Sequence, residues 1–264
     1  MFTMSTSVNI RIYDPYRENE LYRYEGSKPS GIIVFEPRDG ISRLMHVSDG
    51  CFVGEPGTIV VSVSGATDAA LIDVENCNPR ASYGVLFGRD STHNKQGRVL
   101  PATRDQTLKA GDLMAACKAL DLVADKYRLG QSPFEDLKTL VIKTASTNLF
   151  NGITVKIWDW KRNGWMNNRR QPVACQDLWL RLDDAVQALE SHEVRVCFWL
   201  VDPDQNAVAE ALADIPLAIK SVQVDEGDED LEDCECCFRL LCAQLIMNRL
   251  KARINEVVVS SQVK

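Results

Sequence analysis

The chain has 264 residues, 45% hydrophobic and 25% charged, with 30 basic against 37 acidic side chains and a formal net charge of −7. That length buries one substantial core, with or without small appendages, and the composition is that of an ordinary globular protein. The acidic balance argues against a whole-surface nucleic-acid binder, no run approaches the roughly 18 apolar residues of a membrane span, and Met1 to Val8 lacks a secretory pattern, so the reading is an intracellular protein, nuclear or cytoplasmic, with no membrane partner.

Residues 1–56 hold two short extended runs, Val8–Tyr13 and Gly31–Phe35, separated by polar, Pro- and Gly-containing sequence. They read as an N-terminal extension with at most a short strand or two. Gly54-Glu-Pro-Gly57 is a turn, and the β-branched run Thr58–Ser64 is a buried strand ending in Gly65-Ala66. Ala81–Phe87 is a second strand, Arg89–Gln96 a polar hairpin, and Gly97–Leu100 a third strand. From Thr107 to Lys126, Leu113, Ala116, Cys117, Leu120 and Val123 keep a helical period. Leu137–Thr144 is a fourth strand. Leu149, Ile153 and Ile157 mark a helical segment that runs into the basic, Trp-rich turn Trp158–Trp165, and a second helix carries Asp177-Leu-Trp179. Val194–Leu200 alternates as a fifth strand, and a last helix starts at Asn206. Val224–Glu235 holds eight carboxylates and no base, an acidic linker before an amphipathic C-terminal helix, Cys236–Arg253, able to dock on the domain or on a protein partner. The expected division is 1–56, 57–219 and 220–264.

Nine cysteines at irregular spacing suit reduced thiols, and Cys234-Glu-Cys-Cys237 lacks a second ligand pair at zinc-site spacing. His46, His93 and His192 are too far apart in the chain to suggest a ligand set. Lys156–Arg170 holds five bases and one acid, a local basic face on an acidic protein.

From Gly57 to Pro216 the chain resembles a type 1 ribonuclease H domain, nearest the fungal type. The residues that carry the resemblance are Val63-Ser-Gly-Ala66, Asn78-Pro79, Gln106–Leu113, Thr144-Ala-Ser146, the knuckle Trp160–Trp165, Asp177-Leu-Trp179 and Asn206–Glu210. The implied fold is α/β, a ribonuclease-H-like mixed five-stranded sheet flanked by helices, with the N-terminal extension and C-terminal helix outside it. The implied chemistry is two-metal hydrolysis of the RNA strand of an RNA–DNA hybrid, with four carboxylates around two magnesium ions. Here those positions fall on Ser64, Asp112, Ala145 and Glu210. Two carboxylates are retained and two are lost, and magnesium prefers charged oxygen ligands. Asp112 and Glu210 are thus at most weak metal ligands, and no cofactor is expected, with magnesium or manganese needed for any activity that remains.

The resemblance also implies nucleic-acid contacts at Asn78 (ribose hydroxyls), at Thr107 and Lys109 (a DNA phosphate), and at Trp160, Lys161, Arg162, Asn163 and Trp165 of the knuckle. Against this stands the reading of the tryptophans as core and the bases as a solvated rim. Asp68, Asp202 and Asp204 could rescue the metal site; the plainer reading is solvated loop carboxylates. The leading expectation is a catalytically impaired protein that keeps a hybrid-binding scaffold. The alternatives are an active hybrid ribonuclease with a rearranged metal site, and a protein-interaction module without a nucleic-acid role.

Overall fold

The computed structural model describes residues 11–19, 21, 29–68, 80–101 and 104–218. Asn78, the acidic run, the Cys234–Cys237 cluster and the C-terminal segment lie outside them.

Eight strands form one mixed sheet: β1 (Ile33–Glu36), β2 (Ile41–Ser48), β3 (Cys51–Gly54), β4 (Thr58–Thr67), β5 (Ala81–Leu86), β6 (Lys95–Arg98), β7 (Thr139–Thr144) and β8 (Arg195–Leu200). The five strands expected from sequence are β4 to β8. β4 is central, antiparallel to β5 and parallel to β7, which is in turn parallel to β8. The count of five is corrected by three strands from the N-terminal segment. β2 meets β4 at Ser42↔Val60 and pairs with both β1 and β3. The Ser42 hydroxyl donates to the Phe87 carbonyl at 2.6 Å, closing the seam where β5 leaves β4. β6 also starts earlier than the expected Gly97, because Lys95 and Gln96 pair through their backbones with Val85 and Gly84, and backbone pairing needs no apolar side chain.

After β6 the helices are α1 (Leu108–Arg128), α2 (Thr147–Asn151), α3 (Ile157–Arg162), α4 (Gln176–Glu190) and α5 (Pro203–Ala218), with a π-helical turn over Gly152–Lys156 joining α2 to α3. Thr107 caps α1, its hydroxyl accepting from the Ala110 N–H at 3.2 Å, an arrangement that stabilises by about 1 kcal/mol. Alternation along β4 splits the core in two. Ile59, Val61 and Val63 face α1 and α4 in the main cluster, while Val60 joins Val141, Cys197 and Trp199 on the opposite face. The N-terminal segment covers part of that second face. Ile12 bridges Phe198 at the free edge of β8, and Tyr13 stacks edge-on against Trp199 at 5.2 Å.

Candidate functional site: two carboxylates at the sheet centre and a basic knuckle

Ser64 stands opposite Gly84 in the β4–β5 ladder, so both point to one face of the sheet. A Cβ on Gly84 would lie 2.7 Å from the Ala209 carbonyl and from the Ala213 N–H group. That face is therefore the one α5 covers, and α5 carries Glu210. Asn206, in the first part of α5, ties the helix down: its side-chain amide donates to the Val63 carbonyl at 3.0 Å. From the other face, α1 crosses β4 where Gly65 and Gly111 meet. A Cβ on Gly65 would overlap the Gly111–Asp112 backbone, and one on Gly111 would overlap the Ser82 carbonyl. This close approach lets Asp112, 7% exposed, accept from the Gly65 N–H at 2.8 Å.

Burial pushes the Asp112 carboxyl above its ordinary value. The Ser146 hydroxyl and the Gly65 N–H oppose the rise, and the nearby charge of Glu210 adds to it. Glu210 on α5 thus lies near enough to Asp112 on α1 for its charge to act on that carboxyl. Ser146 was not singled out as a site residue. It caps α2 by accepting from the Leu149 N–H at 3.2 Å, which leaves its own proton for Asp112.

The other two expected positions contribute no charge. The Ser64 hydroxyl donates to the Gly65 carbonyl at 3.2 Å. Ala145, at the end of β7, offers a methyl group. The donor set facing the centre is therefore two carboxylates and a neutral hydroxyl, and Asp112 is already hydrogen-bonded to the Gly65 N–H. Among the described residues no three His, Cys, Asp or Glu side chains come together as a metal site. Two divalent cations need more negative charge than this, so the residues do not fit the two-ion arrangement.

Asp68 does not relieve the deficit, and its reading as a solvated loop carboxylate is corrected. It is 8% exposed and grips Arg80 twice, accepting from the backbone N–H and from Nε, both at 2.6 Å. Arg80 also donates to the Leu217 carbonyl at 3.0 Å, so Asp68 is held in a structural link between β4, β5 and the end of α5. Asp202 and Asp204 are exposed.

One residue on the face under α5 carried no recognisable signal. Lys143 pairs with Ser62 in parallel register and so faces α5, on the side of Ser64. Its ammonium donates to the Gln205 carbonyl at 2.9 Å. Burial pulls its pKa down to about 8. In sequence it is one residue of the strand Leu137–Thr144.

The knuckle divides between core and surface. Trp160 packs at 5.2 Å from the buried Trp179 and at 6.2 Å from Trp165, and both Trp160 and Trp165 lie against the main core. Gly152 sits under the Trp179 ring, where no Cβ fits. Lys109, half-buried, lies over Trp179 at 5.6 Å, and burial lowers its pKa. The Lys161 ammonium pairs with Asp183, which is buried and also holds Arg11 at 2.8 Å. Arg11 stacks on Trp158 at 4.8 Å and reaches Glu190 at 3.4 Å. Lys161 is thus a structural cation as well as a basic one, something its exposed-looking sequence context could not reveal. Asn163 closes its own turn through two bonds to the Met166 backbone. Arg162 pairs with Asp159 at 2.5 Å on the exposed rim, and Arg169 and Arg170 are exposed beside it. Thr107 is exposed at the start of α1.

A mixed sheet whose central strand is flanked by one antiparallel and one parallel neighbour, with α1 carrying Asp112 on one face and α5 carrying Glu210 on the other, defines a ribonuclease-H-like α/β protein. The RNase H family profile matches residues 63–201, and the chain belongs to that family. It is 37% identical over 103 residues to a ribonuclease H of Roseobacter denitrificans (39% of this chain, 63% of that one). It is 36% identical over 161 residues to one of Rhodopseudomonas palustris (60% of this chain, 84% of that one). The first of these, and a Jannaschia ribonuclease H of which 51% is matched, are spanned over less than two thirds of their length. Among solved structures, the PFV RNase H domain gives a TM-score of 0.40 at 13% identity, over 60% of this chain and 90% of that one.

Proposed function

We propose that this chain is a nucleic-acid-binding member of the RNase H family, shaped for an RNA–DNA hybrid, in which two-metal hydrolysis is lost or severely reduced. Residues 57–219 are the unit that carries this role, nearest the fungal type 1 branch by Asn78-Pro79 and Gln106-Thr107. One observation carries the impairment: the centre keeps Asp112 and Glu210 but has a hydroxyl at Ser64 and a methyl at Ala145, while Asp68, the nearest substitute in sequence, is committed to Arg80. Hybrid binding is supported by the exposed cations Arg162, Arg169 and Arg170 on a rigid Trp160–Trp165–Trp179 base, with Thr107 and Lys109 at the start of α1. Cations on a fixed frame suit backbone contacts, which position a duplex without reading its sequence.

The test is fluorescence anisotropy with a labelled RNA–DNA hybrid, together with a cleavage assay in magnesium and in manganese. Binding should occur without divalent ions, weaken steeply between 50 and 200 mM salt as counterion release requires, and fall when Arg162, Arg169 and Arg170 are all changed to Ala (salt range from). Cleavage should be absent. An absence of binding at low salt would leave the protein-interaction reading. Cleavage abolished by Asp112→Asn would establish an active enzyme instead.

A further inference from the structure

The N-terminal segment reaches the basic knuckle through one buried side chain. We propose that Arg11 is a positioning residue for nucleic-acid binding: it sets where Lys161 and Trp158 stand, so that the strap of residues 11–19 completes the basic face. The proposal rests on the hybrid-binding reading above and extends it, because it places part of the binding unit outside residues 57–219.

Three observations support this. The backbone of Arg11 is fixed to the free edge of β8: its carbonyl accepts from the Phe198 N–H at 2.7 Å, and the Tyr13 N–H donates to the Phe198 carbonyl at 3.0 Å. Arg195 of β8 secures the rest of the strap, donating to Glu18 at 3.1 Å and to the Ile12 carbonyl at 3.4 Å. From that anchor the Arg11 guanidinium, 1% exposed, crosses to α4 and α3. It donates to Asp183 Oδ1 at 2.8 Å, reaches Glu190 at 3.4 Å and lies 4.8 Å over the Trp158 ring. Lys161 meets two of the same groups: its ammonium pairs with Asp183 Oδ2 and lies 5.4 Å over Trp158, yet its side chain is 34% exposed. A bound ligand can therefore touch Lys161 but not Arg11.

Charge balance gives the link its direction. Arg11 and Lys161 together balance Asp183 and Glu190. A carboxylate shared between two cations holds each less firmly than it would hold one, which leaves Lys161 an attraction for phosphate. Without the charge of Arg11, Asp183 turns to Lys161 alone, and the group becomes net negative beside a face that must attract a polyanion.

The experiment removes the buried charge and reads the exposed one. The full chain is made as R11Q, R11K, K161Q and R11Q/K161Q, with R11M, apolar and of similar length, as the second neutral variant should R11Q not fold. Circular dichroism reports which variants are folded. Hybrid affinity is followed by fluorescence anisotropy over 50–200 mM salt (range from), and hydrogen exchange is followed over residues 156–165. The folded neutral variant should bind hybrid at least about threefold more weakly, with a salt slope shallower by about 1, the share of one phosphate contact, and with faster exchange over 156–165. R11K should keep most of the affinity, and R11Q should weaken binding no further once Lys161 is already Gln. Unchanged affinity in the neutral variant would overturn the proposal, as would an effect that multiplies with that of K161Q or unchanged exchange over 156–165. Failure of the unaltered chain to bind hybrid is a different result, which sinks the hybrid-binding reading; hydrogen exchange, which needs no nucleic acid, then decides by itself whether Arg11 positions the knuckle.

Discussion

Lys143 offers the sharpest physical test, because its cost to the fold depends on pH in a direction that can be stated beforehand. Its side chain lies under α5, with the Gln205 carbonyl as its acceptor, and burial lowers its pKa from 10.5 to about 8. A lysine whose folded value is depressed destabilises the native state wherever the unfolded chain keeps a proton that the native state resists. Below about pH 8 both states are protonated and the penalty is present in full. Between about 8 and 10.5 the unfolded chain binds the extra proton, so stability rises with pH across that window and the penalty has gone above it. At 1.36 kcal/mol per pH unit the full penalty is about 3 kcal/mol.

Lys143→Met removes the charge and keeps the length. The difference in unfolding free energy between Lys143→Met and the unaltered protein should be largest at pH 7 and shrink by about 3 kcal/mol by pH 10.5. Comparing the two proteins at each pH cancels the titration of Tyr13 and the other lysines. Urea slopes of about 1–3 kcal/mol per molar turn this into a midpoint change of order 1 M, well within measurement. A difference that stays constant from pH 7 to 10.5 would show that Lys143 titrates normally and is not desolvated under α5.

Two further changes test the parts of the knuckle that the fold holds in place. Asp183→Asn leaves Arg11 and Lys161 without their shared carboxylate and should cost about 3–5 kcal/mol in urea unfolding, the loss typical of breaking a buried ion pair; a loss under about 1 kcal/mol would mean that Glu190 alone suffices for Arg11. Trp160→Ala should cost about 3–5 kcal/mol, because the ring fills space between Trp165 and Trp179. Unchanged stability with lost hybrid binding would instead make Trp160 a surface for stacking bases.

The frame of the site was legible because it rests on local patterns. The β-branched run of β4 and the apolar period of α1 announce their elements, and Asp112 falls on α1 and Glu210 on α5. The N-terminal strands were less legible, since β2 carries Arg43 and His46 among its apolar residues and joins β4 only through Ser42↔Val60. What sequence hid most completely were pairings between distant residues: Arg11 with Asp183 across 172 positions, and Lys143 with the Gln205 carbonyl across 62. No local period encodes such contacts, and they reverse the sense of single residues. Lys161, read as a phosphate grip, is partly committed to Asp183. Asp68, read as loop surface, is a buried strut for Arg80. The same holds at the centre. Ser64 and Ala145 offer a hydroxyl and a methyl group where the family resemblance implies carboxylates. Only the register of β7 against β4 shows that Lys143 lies beside Ser62 on the face of the sheet that α5 covers, where its ammonium donates to the Gln205 carbonyl.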